Sequence, residues 1–540
     1  MGGGRSPVPD GRDHSAFSPH TSNQAAAAND GHHMARGAMA NGLVLLASNF
    51  RALFTFLIAR LLGEAALGRF GLAFASTELL SKIGMLGFDN AIIPFIAPLA
   101  RSGNRPGAAR MLRTTALLAG LVSTAVTIAA VILVWRVPAL RGLHGFSQGG
   151  VVMLLALPGV AIARIATGAS RAVLAMKSEF YSRGLAETWV TTGAFVVAMA
   201  LGIRDTAPAL AVAVGSTAAA LVAYVLATRA LAARIDPARV DSAHQDHATS
   251  SSTSRPVGSL LRFSLPIAAS SLLTALVMRV DVLLLGAYVN RAPGVTLESF
   301  GVFCAAAEIA GGLRKVRQVF DPIFAPIVAT RAVSTERESL RATVSGPGRW
   351  VLAAQLPIVG VLALSGGTVM SLYGPGFRSG ALWLALLGVA HGTNAFAGLV
   401  ETMLMMERPS LNLLNAGVTV AVQAVAGILL IPTWGVTGAA LAMCLGFAVQ
   451  GVLRFAEVKH VFGWTWPWQS LVRPLAAGAM AIGPAAALRV FVTGAWVEPT
   501  AGLSCVALYV LAWLWLGADP DDREVYRRLF HRSSSSKPIR

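Results

Sequence analysis

The chain has 540 residues, of which 55% are hydrophobic and only 13% charged, with a net charge of +18. Soluble domains carry about 25% charged residues, so this composition excludes a soluble multidomain protein. The three cysteines, Cys304, Cys444 and Cys505, all lie inside apolar runs, which argues against a disulfide framework or a zinc knuckle.

Residues 1–38 are rich in Gly, Ser, Ala, His and Asn without periodicity and read as a disordered cytoplasmic lead. No apolar run lies close enough to the first residue for a cleavable signal, so the first span serves as the insertion signal. The chain then shows about fourteen apolar stretches, each near the ~20 residues needed to cross a bilayer core about 30 Å thick. They fall at 41–62, 70–99, 114–135, 149–170, 186–203, 207–231, 263–287, 299–327, 350–370, 380–406, 411–431, 436–456, 470–491 and 498–517. Because every backbone amide in lipid must be satisfied within its segment, the fold class is all-α and polytopic.

A polar, Ser/Thr-rich break over 235–257 reads as a cytoplasmic linker. It divides a six-helix bundle at 39–234 from a second at 258–464; two additional membrane helices follow at 465–517, then a basic cytoplasmic tail at 518–540. An internal repeat supports the division. Phe70-Gly71, Glu78, Phe88-Asp89, Ala97-Pro98 and Arg101 reappear about 230 residues on as Phe300-Gly301, Glu308, Phe320-Asp321, Ala325-Pro326 and Arg331. Six spans per unit make the repeat parallel, with a pseudo-twofold axis along the membrane normal.

The basic residues explain the net charge by topology rather than by nucleic acid. About 23 Lys and Arg follow even-numbered spans, among them Arg183, Arg314, Arg317 and Arg454, against about 7 after odd-numbered ones. This places both termini in the cytoplasm of a bacterial inner membrane. The histidines at 14, 20, 32, 33, 244 and 247 sit in low-complexity tracts and suggest no metal site.

Charges inside spanning helices are costly and default to functional candidates. Arg51 falls near mid-membrane, Arg60, Glu78, Arg279, Asp281 and Glu308 in the outward half, and Arg164 toward the inner third. Glu78 and Lys82 share a helix face and are spaced to pair. An arginine fork fits phosphate bidentately, so Arg51, Arg60, Arg164 and Arg279 are candidates for binding an anionic headgroup in a basic, wet cavity. Glu78, Asp281 and Glu308 are candidates for ion coupling. His391 with Asn394, and Asn412 with Asn415, add polar contacts, the His best read as a packing residue; Gly84–Gly87 reads as close helix packing. The chain has no GxxxxGK phosphate cradle, so ATP-driven pumping is disfavoured. Its short outward loops disfavour a membrane glycosyltransferase or polysaccharide ligase. No cofactor, metal or enzymatic activity is expected.

The run LIARLLGEAALGRFG, then GMLGFDNAIIPFIAPLARSG, resembles the N-terminal signature of the polysaccharide transporter (O-antigen flippase-like) family of the multidrug/oligosaccharidyl-lipid/polysaccharide exporter superfamily. LLRFSLPIAASSLLTALVMRVDVLLLG is similar to that family's seventh span, and LYGPGFRSG and IPTWGVTGAALA to its C-terminal domain. Glu64 stands where that family usually has Pro. The resemblance covers about residues 39–465 and implies a flippase for an undecaprenyl-diphosphate-linked oligosaccharide, moved from the cytoplasmic to the periplasmic leaflet. Implied partners are that lipid-linked oligosaccharide, membrane lipids, a polysaccharide polymerase and other assembly proteins. The alternative is a drug/cation antiporter of the same superfamily.

Overall fold

A computed structural model describes residues 51–137, 148–235, 257–319, 337–463, 465 and 468–516. Among them the ordered elements are helices and turns, with no strand. The expected all-α, polytopic class is what the structure has.

The first half comprises α1 (Arg51–Met85), α2 (Ile93–Arg101), α3 (Arg105–Arg136), α4 (Ala156–Ala172), α5 (Thr188–Ala200) and α6 (Ala207–Arg234). The second comprises α7 (Val257–Val277), α8 (Val280–Ala287), α9 (Leu297–Gly311), α10 (Arg337–Leu364), α11 (Ala381–Glu407), α12 (Pro409–Phe462), α13 (Val472–Phe491) and α14 (Val497–Leu516). Nine helices among the described residues are long and apolar enough to cross a membrane, and Ala52–Met85 with Phe88–Arg101 form a further pair bent by 50°.

Counting helices understates the crossings. The 35-residue α1 breaks at Gly63, whose φ of 81° lies in the left-handed region that glycine enters without a Cβ clash. The rings of Phe54 and Phe70, on either side, stand 5.6 Å apart. Sixteen residues of straight helix would separate them by about 24 Å, so the chain turns back on itself at Gly63. The 54-residue α12 does the same at Gly435, with φ 56°. There a Cβ on Gly438 would strike the Leu430 carbonyl, eight residues earlier. Each long helix is thus a hairpin: α1 carries residues 51–62 of the first expected stretch and 70–85 of the second, whose remainder runs past the bend into α2, and α12 carries 411–431 with 436–456. Residues 41–50 of the first stretch and 320–327 of the eighth lie outside the described residues.

The apolar side chains gather in four cores. One core is built mainly from the first half, with Leu260 of α7 joining it, and is dominated by alanines such as Ala161, Ala166, Ala219 and Ala223. Small side chains let α4 and α6 approach closely: a Cβ on Gly159 would meet the Ser216 carbonyl at 3.0 Å. This is the membrane mode of association, in which van der Waals contact replaces the hydrophobic effect. Two smaller cores belong to the second half. A larger one, with Phe54, Phe70, Phe195, Phe300, Phe303, Phe377 and Phe447, crosses between them.

The halves meet backbone to backbone at two glycine seams. At one, a Cβ on Gly68 would lie 2.7 Å from the Leu297 carbonyl, and one on Gly301 would overlap Glu64. At the other, a Cβ on Gly87 would lie 2.7 Å from the Ala268 nitrogen. α13 and α14 pack on α10 with Cys505 against Gly360 and Gly502 against Ser365. Glu498, at the start of α14, accepts from Thr368 at 3.1 Å and pairs with Arg378 at 3.4 Å and Arg489 at 3.6 Å.

Candidate functional site

Between the two seams lies a cavity of about 510 Å³. Its walls come mainly from the first half: both arms of α1, α4, α6 and the segment leading into α5. α8 and α9 of the second half close it with Arg279, Val282, Cys304 and Glu308. Phe54, Phe70, Phe74 and Phe180 supply apolar surface.

Four cations and four carboxylates line this space. The cations are Lys82, Arg164, Arg183 and Arg279; the carboxylates are Glu78, Glu179, Glu187 and Glu308. The lining is thus balanced in formal charge, where a net basic one was expected. The balance is not even in space. Arg279 Nε donates to Glu78 Oε2 at 2.8 Å, so these two neutralise each other across the halves. Arg183 Nη1 donates to Glu179 at 2.9 Å, and its Nε lies 3.8 Å from Glu187. Arg164 and Lys82 have no ion-pair partner among the described residues, and neither does Glu308. Arg164, Lys82 and Arg183 are electrostatic neighbours of one another. The wall formed by α1 and α4 therefore carries two cations that no carboxylate pairs directly among the described residues, although Asp89, Glu78 and, for Arg164, Glu187 act on them from farther off.

The candidates from sequence divide accordingly. Arg164, Arg279, Glu78 and Glu308 come together in the cavity. Glu78 takes a partner from the other half, Arg279, where sequence spacing suggested Lys82. Arg60 is exposed and outside the lining. Asp281 is buried at 5% exposure, with Oδ1 unpartnered. The side chain of Arg51 lies outside the described residues.

Sequence reasoning missed Glu179 and Glu187 and placed Arg183 in a basic connection. All three sit in the walls, and residues 180–187 form a π-helix. The available signal was the spacing Glu-x-x-x-Arg-x-x-x-Glu, which puts three charges on one helix face. Arg454 was likewise counted with the connections, yet it is buried inside α12 at 4% exposure. It donates to Glu401 at 2.9 Å and Asn394 at 3.3 Å, while Arg317 reaches the same Glu401 at 3.3 Å. This network braces α11 and α12. His391 packs against the Phe447 ring at 5.6 Å, in keeping with a packing role.

Residues 35–313, more than half of the chain, match the family described as polysaccharide biosynthesis protein. The chain belongs to that family. No curated protein matches it. Among solved structures, this polysaccharide biosynthesis protein is similar to the lipid II flippase MurJ in an inward closed conformation. The identity is 14%, over 91% of this chain and 100% of that one, with a TM-score of 0.64. It is also similar to an inward-facing multidrug resistance MATE family transporter of the MOP superfamily, at 15% identity, 77% and 94% coverage and a TM-score of 0.60. A third relative, a MOP superfamily transporter from Pyrococcus furiosus described by the reversed polarity of its binding pocket, matches at 16% identity, 81% and 95% coverage and a TM-score of 0.54. These likenesses establish the fold. The resemblance read from the motifs is thereby upheld, and this polysaccharide biosynthesis protein is a multi-pass membrane protein built on a transporter and flippase fold.

Proposed function

We propose that the protein carries a lipid-linked oligosaccharide from the cytoplasmic to the periplasmic leaflet of the bacterial inner membrane by alternating access. The observation that carries this reading is the pair Arg164 and Lys82, which face the cavity with no carboxylate bound to them. A membrane-buried cation without a partner is expensive, and a diphosphate supplies the missing counter-charge. A glycan crossing hydrocarbon would leave its hydroxyls without hydrogen bonds, so the headgroup needs a polar passage while the polyprenyl chain stays in lipid. An undecaprenyl-diphosphate carrier fits both demands. Family membership in polysaccharide biosynthesis supports the same substrate class.

In this reading both termini, the 235–257 linker and the basic connections face the cytoplasm, and the bundles at 39–234 and 258–464 rock against each other. Breaking and remaking the Glu78–Arg279 pair accompanies the rocking, and Glu308 and Asp281 are the carboxylates through which an ion gradient would act. Arg51 and Arg60 are further contacts for the headgroup, Arg60 in other stages of the cycle. A polymerase on the periplasmic side consumes the delivered lipid.

The test is leaflet exchange of a lipid-linked oligosaccharide by the reconstituted full chain. Exchange that depends on the protein and falls in Arg164→Ala upholds the reading; no exchange overturns it. The four carboxylates in the walls favour a second reading, a cation antiporter. That reading requires proton- or sodium-driven efflux of an organic cation from the same vesicles. Sugar incorporation without transport would instead mark a ligase.

A further inference from the structure

The Glu179–Arg183–Glu187 ladder is left unused by an anion-binding reading, because its charges already cancel in part. Its placement is unusual for a ladder that only braces a helix. Surface ladders of this spacing sit in water, where three charges cost little and stabilise weakly. Here all three side chains line a cavity inside a membrane protein, at 42%, 25% and 37% side-chain exposure in chain order. The backbone departs from the α-helix over the same stretch, Phe180–Glu187, and Thr188 Oγ1 donates back to the Arg183 carbonyl at 3.4 Å. Single π turns inside α-helices recur at functional sites because they re-aim side chains.

The geometry points to a glycan subsite built from Glu179, Arg183 and Glu187, next to a diphosphate subsite built from Lys82 and Arg164. This rests on the lipid-linked reading above and specifies which part of the headgroup each wall holds. A sugar hydroxyl both donates and accepts. The outer carboxylate oxygens of Glu179 and Glu187 accept from hydroxyls, and the guanidinium N–H groups of Arg183 that Glu179 and Glu187 leave open donate to sugar oxygens. The π-helical Phe180, also in the wall, gives the apolar face of a pyranose a surface to lie on. Thr188 and Thr191 add hydroxyls farther along the same helix face. Arg164 and Arg183 are electrostatic neighbours, so the sugar bound directly to the diphosphate reaches the ladder.

The ladder carries two carboxylates for one guanidinium and is net negative. It therefore selects neutral, hydroxyl-rich sugars next to the diphosphate and repels uronic acids there.

The experiment uses the full chain in proteoliposomes. The transported lipid is the lipid-linked oligosaccharide extracted from membranes of the source cells, and bare polyprenyl diphosphate serves as competitor. Glu179→Gln and Glu187→Gln keep side-chain shape while removing charge and one acceptor. Each is expected to raise the half-saturating concentration of the glycan lipid about tenfold, the scale of losing one net hydrogen bond. The bare diphosphate should compete at an unchanged concentration. Glu187→Asp should recover part of the loss, and Arg164→Ala should weaken glycan lipid and competitor together. A loss in which the glycan lipid and the bare diphosphate weaken by the same factor would mean that the ladder only braces the helix. No loss at all, or no competition by bare diphosphate against the native protein, also overturns the assignment. If the native protein exchanges no glycan lipid, the lipid-linked reading fails first, before any variant is made.

Discussion

Arg279 Nε and Glu78 Oε2 lie 2.8 Å apart and join the second half to the first across the cavity. The Arg279 guanidinium also stands 5.5 Å over the Phe74 ring, so it is held by charge on one side and by a π face on another. Both side chains are less than one-third exposed. Removing either leaves the other poorly solvated, and the pair should show strong coupling. A double-mutant cycle of Glu78→Gln and Arg279→Gln, read by thermal unfolding in detergent, is expected to give a coupling energy of about 0.5–3 kcal/mol. Under the proposed alternating access the pair breaks and re-forms in each cycle, so transport should fall in both single variants; additive effects would show that the two act separately.

Arg164 tests the charge balance of the site. Arg164→Ala should lower exchange of a lipid-linked glycan at least tenfold, whereas Arg164→Lys, which keeps charge but loses the planar fork, should retain an intermediate rate. Binding of inorganic pyrophosphate to the purified protein, followed by calorimetry, should weaken in the same order.

The first glycine seam permits no side chain. At Gly301 a Cβ would overlap Glu64, and at Gly68 it would press on the Leu297 carbonyl. Gly301→Val is therefore expected to force α1 and α9 apart, costing about 1–3 kcal/mol of overpacking. A lowered melting temperature, with faster thiol labelling of Cys304 beside Gly71, would register the opening.

Glu498 collects two arginines and a threonine at the junction of α14 with the second half. Glu498→Ala removes a charged acceptor worth about 1.5–3 kcal/mol per bond at most. It should loosen α13 and α14 without altering the cavity, seen as increased proteolysis between Phe491 and Val497 while substrate affinity holds.

Topology is testable with single cysteines. Ser102→Cys and Arg291→Cys, in a background lacking Cys304, Cys444 and Cys505, should label from opposite sides of the membrane. The first reacts only when the cytoplasmic face is opened.

Most of the architecture was readable because its causes are local and repetitive. A bilayer imposes a length on each apolar stretch. The hairpins at Gly63 and Gly435 follow from the same length limit, since 35- and 54-residue helices exceed the membrane. Glu78, Arg164, Arg279 and Glu308 were identifiable as costly charges within those stretches. Their partners were not. Glu78 and Arg279 are 201 positions apart, and nothing in local spacing indicates that they touch. Arg183 and Arg454 escaped for a different reason: each lies near a span's end, where a cation reads as a snorkelling or loop residue. Only three-dimensional packing shows that one lines a cavity and the other is buried against Glu401. The balance of charge in the cavity went unread as well: the Glu-x-x-x-Arg-x-x-x-Glu spacing marks a shared face, but not that this face lines the cavity.

The two halves are fastened by different means. In the first, alanine and glycine surfaces let α4 and α6 touch closely along their length, and Arg234 at the end of α6 donates to the Val173 carbonyl just past α4 at 3.0 Å. In the second, the Arg454–Glu401–Arg317 bridge pins α11 and α12 in register, and sliding them would strand a buried guanidinium. The carboxy-terminal part should accordingly keep α11 and α12 in one fixed alignment through any change of shape.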